Sequence, residues 1–378
     1  MATTPPEDKI TKEQYDLQRG LSMILKDAKK KGIRGPVFNL TNEDFRYFMF
    51  GPLLRGKKFR RTDADIQTAV DLWCDNRTEA EERYGHISEW DVSHVTNMNE
   101  LFKDKVGFND DISLWDVSNV NIMNFMFNRA HAFNQGIGIW NVSKVTKMYC
   151  MFSETTSFNQ PIGDWDVSNV TNMRFMFNEA QSFNQSIGDW DVSKVTHMGT
   201  MFARTSNFNQ PIGDWNVSNV TSMFCMFEQA RAFNQAIGNW DVSKVTEMTC
   251  MFTNAEEFNQ PIGDWDVRRV RFMNSIFMGA RSFNQPIGNW DISRVQDIHN
   301  MFVDASTFNQ DLTSWNFTNK ASKETIFIGC PISNANKPTG LRGGGVKNTR
   351  RARRRATRKR SRKGGRTLKR GSRRTRRR

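Results

Sequence analysis

Residues 158–182 read FNQPIGDWDVSNVTNMRFMFNEAQS, and this stretch is one copy of a unit that recurs along the chain. Ten tryptophans mark the same position of the unit and stand 25 residues apart, without insertion or deletion, from Trp90 to Trp315. An uninterrupted period of this size is typical of a solenoid, in which each unit buries its apolar face against its neighbours. The sequence therefore predicts one elongated repeat body. We name each unit by its tryptophan.

Two apolar patterns follow one another within a unit. Ile162, Trp165 and Val167 have strand-like spacing, and from Val170 to Ala180 the apolar residues recur every three or four positions, as in a helix. Each unit is therefore predicted to be a short strand, a short helix or 3₁₀ turn, and a return loop. The fold class is an α/β solenoid with a parallel sheet, and the Trp, Met and Phe columns form its core.

The ends of the array predict caps, because an open solenoid end exposes core and strand edge. Apolar residues from Ile66 to Trp73 fall on one side of a helix, which we interpret as the N-terminal cap. The predicted organisation is a helical region over 1–61, a capping helix over 62–84, a solenoid of about ten repeats over 85–327, a C-terminal cap with a Gly-rich hinge over 328–346, and a disordered Arg/Lys-rich tail over 347–378.

The charge is distributed unevenly. The chain has 54 Lys and Arg against 40 Asp and Glu, but residues 341–378 hold 20 of the basic residues and no acid, which leaves the rest with a net charge of −6. A basic tail on a mildly acidic body predicts a polyanionic partner for the tail. The residues predicted to bind nucleic acid are Arg350, Arg351, Arg353, Arg354, Arg355, Arg358, Lys359, Arg360, Arg362, Lys363, Arg373, Arg374, Arg376, Arg377 and Arg378.

One place in the array also becomes basic. The Trp265 unit reads DVRRVRFM where others read DVSNVTNM, so that Arg268, Arg269 and Arg271 come close to Arg294. This cluster is either a local recognition patch or a solvated face. A second basic stretch, residues 55–61, is likewise either a solvated loop or an anion-binding patch.

Two polar columns accompany the core. The Asn column, from Asn109 to Asn309, predicts a hydrogen-bonding ladder between units. The residue after each tryptophan is Asp or Asn, and we expect it to cap the following turn. Calcium between neighbouring Asp residues is the alternative, but Asn replacements such as Asn141 and Asn216 interrupt the pairs. The sequence predicts no metal site and no cofactor.

Signals of enzymes and of export are missing from the sequence. The five histidines have no zinc-binding spacing, and there is no GxSxG, Walker or GxGxxG motif, so we expect no catalysis. Five cysteines at low density favour free thiols in a reducing compartment. The first residues lack the apolar core of a signal peptide, and no run of 18 apolar residues exists. These features predict an intracellular protein of the cytoplasm or nucleus.

The motif W-[DN]-[VI]-S-x-V-T-x-M-x-x-M-F-x-x-A-x-x-F-N-Q resembles the BspA-like leucine-rich-repeat proteins, whose 25-residue units also occur in mycoplasma lipoproteins. The resemblance covers about residues 66–327. It implies a leucine-rich-repeat-like solenoid, and the family includes surface adhesins as well as proteins of protists and large DNA viruses. The basic tail resembles those of some viral proteins, for which the location would be the virion.

These observations favour a non-enzymatic interaction scaffold. The solenoid is expected to bind a protein partner, which the sequence does not identify, and the tail to bind nucleic acid or another polyanion without sequence specificity. The alternatives are a BspA-like surface adhesin or structural protein, and a tail that acts only as a nuclear-localisation signal. The sequence leaves the oligomeric state open.

Overall fold

The computed structural model describes residues 60–316 and 325–341. Its regular elements come first in the chain: strand β1 at Arg60–Thr62, helix α1 at Ile66–Asp75, helix α2 at Arg77–Tyr84 and strand β2 at Asp91–His94, with short 3₁₀ helices at Ile87–Glu89 and Thr339–Leu341. β1 and β2 pair in parallel. The predicted helical region over residues 1–61 lies outside the described residues, apart from its last two positions.

Helix α1 packs against the first repeats of the array. It buries Ile66, Ala69, Val70 and Trp73, the apolar face that its spacing predicts. The Trp73 ring N–H donates a hydrogen bond of 2.9 Å to a carboxylate oxygen of Asp110, which ties the helix to the array. Two helices, α1 and α2, occupy the region where the sequence suggests one, and we propose α1 as the cap.

The repeats are joined by a ladder of parallel backbone hydrogen bonds. In the Trp165 unit, the N–H groups of Met173, Phe175 and Phe177 donate to carbonyls of the next unit at 3.0–3.1 Å. One isolated parallel bridge per unit marks this ladder, from Asn97–Ile122 through to Phe272–Asp297. The last contact of the ladder in the described chain runs from Asp304 to Ile328. The protein is thus a repeat solenoid.

The sequence predicts a strand followed by a short helix or a 3₁₀ turn in each unit; the described repeats form turns and no regular α-helix, and apart from β2 in the Trp90 unit they have no regular strand beside the tryptophan. The parallel ladder lies on the segment predicted to be helical, whereas the segment around Trp165 forms turns, with the Trp165 N–H bonded to the Ile162 carbonyl at 3.2 Å. Phe175 and Glu179 have φ of 59° and 61°, which a right-handed helix cannot accommodate. Successive turns are closed by hydrogen bonds between residues three apart, such as the Met176 N–H to the Met173 carbonyl. They return side chains inward every three or four positions and therefore have the same apolar spacing as a helix.

The core consists of stacked identical columns, as the sequence predicts. The rings of Trp190 and Trp215 are parallel within 1°, with centroids 6.5 Å apart, and Phe177 and Phe202 stack at 5.7 Å. Trp190 is only 3% exposed, and its ring N–H donates to the Ile162 carbonyl of the preceding unit at 3.1 Å. From Trp115 to Trp315, each tryptophan therefore fills the core and also joins two units.

The predicted ladder of asparagines is confirmed. The side-chain oxygen of Asn134 accepts the backbone N–H of Asn159 at 2.9 Å and the side-chain N–H of Gln160 at 3.0 Å. The same bonds recur one unit later at Asn184 and Gln185. Because each side chain satisfies groups of the next unit, this column serves the stacking of the repeats.

Candidate interaction surfaces

The position four residues after each tryptophan from Trp115 to Trp290 forms a surface column that we call the Asn–Lys column: Asn119, Lys144, Asn169, Lys194, Asn219, Lys244, Arg269 and Arg294. In its regular part, asparagine and lysine alternate and bond to one another. Asn169 donates from its amide nitrogen to the Ser143 carbonyl at 2.8 Å, and its amide oxygen accepts from Lys194 Nζ at 2.8 Å. Each lysine in this part therefore has a fixed partner.

The alternation ends at the Trp265 unit. Arg269 occupies the place of an asparagine, and Arg294 that of a lysine. Asn219 still accepts from Lys244 at 2.7 Å, but Arg269 offers no acceptor to Arg294. Within residues 60–316 and 325–341, neither the Arg269 nor the Arg294 side chain makes a hydrogen bond or an ion pair. Three cations thus follow one another along the column.

Arg268 has a carboxylate partner in its own unit. Its Nε and Nη2 donate to the two oxygens of Asp266 at 2.8 and 2.7 Å, and this fork lowers the pKa of Asp266 to about 2. In the regular units a serine stands in that place, and the Ser243 hydroxyl and N–H lower the pKa of Asp241. Arg268 therefore replaces a serine that donates to the turn-capping aspartate by a charged group on the surface.

These side chains line an open cleft of about 610 Å³ that spans the Trp240, Trp265 and Trp290 units. Besides two serines, its lining consists of four cations and two carboxylates, namely Lys244, Arg268, Arg269, Arg294, Asp266 and Asp291. The charges of Arg268 and Arg294, after the hydrogen bonds from Ser293, lower the pKa of Asp291. With four cationic side chains against two carboxylates, the cleft has a formal net charge of +2.

The structure brings together three of the four arginines of the predicted recognition patch. Arg268, Arg269 and Arg294 line the cleft, whereas Arg271 lies at the start of the parallel ladder and donates its N–H to the Thr246 carbonyl at 2.9 Å. The sequence analysis did not include Lys244. The alternation of asparagine and lysine every 25 residues was the signal that could have added Lys244 to the patch, because it places Lys244, Arg269 and Arg294 at the same position of three successive units.

A second exposed surface is the outward side of the parallel ladder, which we call the ladder face. It includes aromatic side chains: Tyr149 packs between Phe125 and Phe175 with ring centroids 5.0 and 5.7 Å apart. Phe224 and Phe272 are 38% and 37% exposed. The bridging residues of this face are Asn97, Ile122, Lys147, Asn172, His197, Ser222, Glu247, Phe272 and Asp297.

The acidic column beside the tryptophans caps turns, as expected. The Asp166 carboxylate accepts the N–H of Ser168 at 3.0 Å, and Asp191 does the same for Ser193 at 2.9 Å, with the pKa of Asp191 lowered by its bonds to Ser193. The described part of the chain contains no group of three or more His, Cys, Asp or Glu residues that could hold a metal ion. The carboxylate oxygens of this column thus have a structural use.

Other predicted features are located as follows. Cys225 and Cys250 lie in neighbouring units, and the contact between the two thiols, followed by burial, raises the pKa of Cys225. From the basic stretch at 55–61, the structure describes Arg60 and Arg61, and Arg61 is buried against Asp65 at 2.8 Å. The predicted nucleic-acid-binding residues of the tail lie outside the described residues. No helix among the described residues has the length and apolar character needed to cross a membrane.

The repeats define a known class of protein. The chain belongs to the family described as "Mycoplasma protein of unknown function, DUF285", which matches residues 75–181, 158–256 and 234–339. This match confirms the resemblance to the BspA-like leucine-rich-repeat proteins. A search of curated proteins returns no match.

Two solved structures are similar to the chain at low identity. One is the TLR13–ssRNA13 complex, with 10% identity, a TM-score of 0.20, and coverage of 78% of this chain and 51% of that one. The other is the functional domain of InlJ from Listeria monocytogenes, with 9% identity, a TM-score of 0.17, and coverage of 62% and 58%. The chain thus spans less than two thirds of either structure, and at these TM-scores neither likeness bears on function.

Proposed function

We propose that this protein is a non-enzymatic interaction scaffold. Its solenoid binds a protein partner, and its basic tail binds nucleic acid or another polyanion without sequence specificity. Membership of a repeat family supports the first part, because repeat solenoids present long surfaces built from many similar units.

The observation that carries the proposal is the contrast within the ladder. The nine bridging positions carry eight different residue types and none is buried, while the next position in each unit is a buried Met or Ile. Packing therefore fixes the inner residue and leaves the outer one free to serve recognition. Exposed aromatic side chains such as Phe224 and Phe272 are enriched at protein interfaces.

The polar columns support a scaffold rather than an enzyme. Asparagines of one column bond to the next unit, and aspartates of another cap turns, as Asn134 and Asp166 show. Their recurring polar groups are thus used to hold the repeats together. This leaves the positions that differ between units for contact with other molecules.

The ladder face can be tested with the full chain as bait. Phe224→Glu places a charge at an exposed aromatic position, and we expect it to reduce crosslinked capture of a partner from lysate of the source cells. Asp214→Asn is the matched control, because Asn239 occupies the equivalent position one unit later. Equal capture by the parent and the Phe224→Glu chain would contradict binding through the ladder face.

The tail supports polyanion binding through its composition. Arginine presents a planar fork of donors that suits phosphate oxygens, and residues 347–378 contain no aromatic side chain for stacking on bases. Binding should therefore depend on phosphates, with little preference for sequence. If about six to ten phosphates are engaged, affinity should fall roughly 10³–10⁵-fold between 50 and 200 mM salt.

The test of the tail is a titration of labelled DNA and RNA with the full chain and with a chain that ends at Thr339. Binding that is insensitive to salt, or equal binding by both chains, would contradict the proposal. Crosslinking to nucleic acid in cells separates this role from a nuclear-localisation signal, which predicts import without such contact. Anionic liposomes serve as the competitor, since membrane phosphates attract the same charges.

A further inference from the structure

The geometry points to the cleft of the Trp240, Trp265 and Trp290 units as a site for an extended acidic segment of a partner protein, with carboxylates on alternate residues. This inference rests on the proposed function and deepens it, because it names the chemistry of one partner contact. It concerns the Asn–Lys column, which is separate from the ladder face.

Charge is the first argument. The regular column gives each lysine an amide acceptor, as at Lys244 and Asn219, but among the described residues Arg269 and Arg294 make no hydrogen bond or ion pair and act on Asp266 and Asp291 only through their charges. Two adjacent guanidinium groups repel one another in the free protein, and two carboxylates in the cleft leave a net charge of +2. An anionic ligand would remove this repulsion. Arginine forks bind carboxylates with two parallel hydrogen bonds.

Spacing is the second argument. The tryptophan rings that precede Lys244, Arg269 and Arg294 lie 6.5 and 6.4 Å apart along the solenoid. An extended peptide rises about 3.2–3.4 Å per residue, and its alternate side chains point the same way. Residues i, i+2 and i+4 of a peptide along the solenoid axis would therefore recur at about the spacing of the tryptophan rings that precede the three cations.

The lining favours a peptide over a nucleic acid. None of the side chains that line the cleft is aromatic, so nothing there can stack on bases. The two carboxylates, Asp266 and Asp291, can accept backbone N–H groups of an extended peptide, whereas they repel the phosphate groups of a nucleic acid. The cleft therefore combines cations for acidic side chains with acceptors for a peptide backbone.

The test uses the full chain and two fluorescein-labelled peptides of equal length and charge. In one peptide three glutamates occupy alternate positions, and in the other they occupy every third position, with serine elsewhere. A photocrosslinking residue in each peptide, mapped by mass spectrometry, separates binding at the cleft from binding at the basic tail. An oligouridylate of equal charge is titrated in parallel.

The variants are drawn from the repeat itself. Arg269→Asn with Arg294→Lys restores the regular alternation and is expected to keep the fold. Asn169→Arg with Lys194→Arg is the reciprocal change, which builds a comparable cluster in a regular unit. We expect the first double variant to bind the alternating peptide roughly fivefold more weakly and to lose crosslinks at the cleft, and the second to gain crosslinks at the new cluster.

Three results would overturn the inference: equal affinity of the parent and the restored variant, no preference for the alternating peptide, or crosslinking of the oligouridylate rather than the peptide at the cleft. The proposed function fails in a different way, namely when Phe224→Glu and the cleft variants all leave capture of the protein partner unchanged. If only the cleft variants leave capture of the partner unchanged, the ladder-face proposal stands and this inference alone is wrong.

Discussion

The units from Trp115 to Trp240 and the units of Trp265 and Trp290 share one core but differ on the surface. In the regular units, asparagine and lysine alternate and bond to each other, as at Asn169 and Lys194. In the Trp265 and Trp290 units the same column carries Arg269 and Arg294, and Arg268 replaces a serine. The backbone ladder and the stacked rings continue through both regions without a change of spacing.

This difference separates two kinds of constraint in a repeat protein. Positions that face the neighbouring units are fixed by packing, since every unit must fit its two neighbours. Positions on the outside are fixed only where a side chain supplies a hydrogen bond between units. In the cleft, the asparagine–lysine bond of the regular units is absent between Arg269 and Arg294. We therefore expect core substitutions to change stability by the same amount in the two regions, and substitutions on the Asn–Lys column to change it differently.

The largest expected effect concerns the shared core. Trp190→Ala and Trp265→Ala should each lower the free energy of unfolding by roughly 3–5 kcal/mol, because each removes a ring that is 3–4% exposed and leaves a cavity. Denaturant midpoints of both variants and the parent measure this. A much smaller cost at Trp265 would show that the core does not continue unchanged into the basic units, and no cost at either would contradict the solenoid.

The next effect concerns the close approach of neighbouring turns. A Cβ added at Gly213 or Gly263 would lie 2.4 Å from a carbonyl oxygen of the next unit, at Ala236 and Pro286 respectively. Alanine at either glycine should therefore destabilise the fold by roughly 1–3 kcal/mol through overpacking. Thermal melts provide the measurement.

Gly136 is the control for these glycine variants. Its nearest non-neighbouring atom would be 3.9 Å from an added Cβ, so that Gly136→Ala should change stability by less than about 0.5 kcal/mol. Equal melting temperatures for the Gly136, Gly213 and Gly263 variants would contradict the close approach of the turns.

A smaller effect tests the column directly. Asn219→Arg removes the bond to the Ser193 carbonyl at 2.8 Å and the acceptor of Lys244, and should destabilise the fold by about 1 kcal/mol. Arg269→Asn is the reverse change in the basic region and should stabilise it by a similar amount. If the denaturant midpoints of Asn219→Arg and Arg269→Asn shift in the same direction, the bonds of the Asn–Lys column do not distinguish the two regions.

The sequence predicted the repeat, its period and its core, because stacking forces identical apolar residues into every unit. It also predicted the asparagine ladder and the turn-capping aspartates. It left the backbone of the unit open between a short helix and a 3₁₀ turn, because both return a side chain inward every three or four residues, and it did not place the parallel ladder on the segment from Val170 to Ala180. The positive φ of Phe175 and Glu179, which decides the matter, falls on residues that carry no sequence signal for it.

The basic cleft was predicted in part for a similar reason. An arginine cluster can be read from the sequence, but the partner of each arginine cannot. The fork between Arg268 and Asp266, the separate location of Arg271 and the contribution of Lys244 depend on which side chains the stacked units bring together. Residues 347–378 contain no repeat, so the prediction of their role depends on composition alone.

The smallest expected effect concerns the ionisation of Asp266. Hydrogen bonds from Arg268 hold the pKa of this carboxyl at about 2, below the ordinary value of 3.8. Because the folded-state pKa lies below the unfolded-state value, the ionised group stabilises the fold above about pH 4, and this contribution is lost as the pH falls towards 2. Arg268→Ser gives the unit the residue that the regular units carry, as at Ser243.

We expect Arg268→Ser to raise the pKa of Asp266 but to leave it below 3.8, since serine at the equivalent position still lowers the pKa of Asp241. The carboxyl carbon shifts of Asp266 and Asp241, followed by NMR from about pH 1.5 to about pH 6, give the titration midpoints of both groups in one experiment. Ser243→Ala is the control: it should raise the pKa of Asp241 and leave that of Asp266 unchanged. An Asp266 midpoint that does not move in Arg268→Ser would mean that the arginine is not bound to the carboxylate in solution. Arg268 would then be a third cation in the cleft without a partner, and the contrast between the two regions would be larger than described.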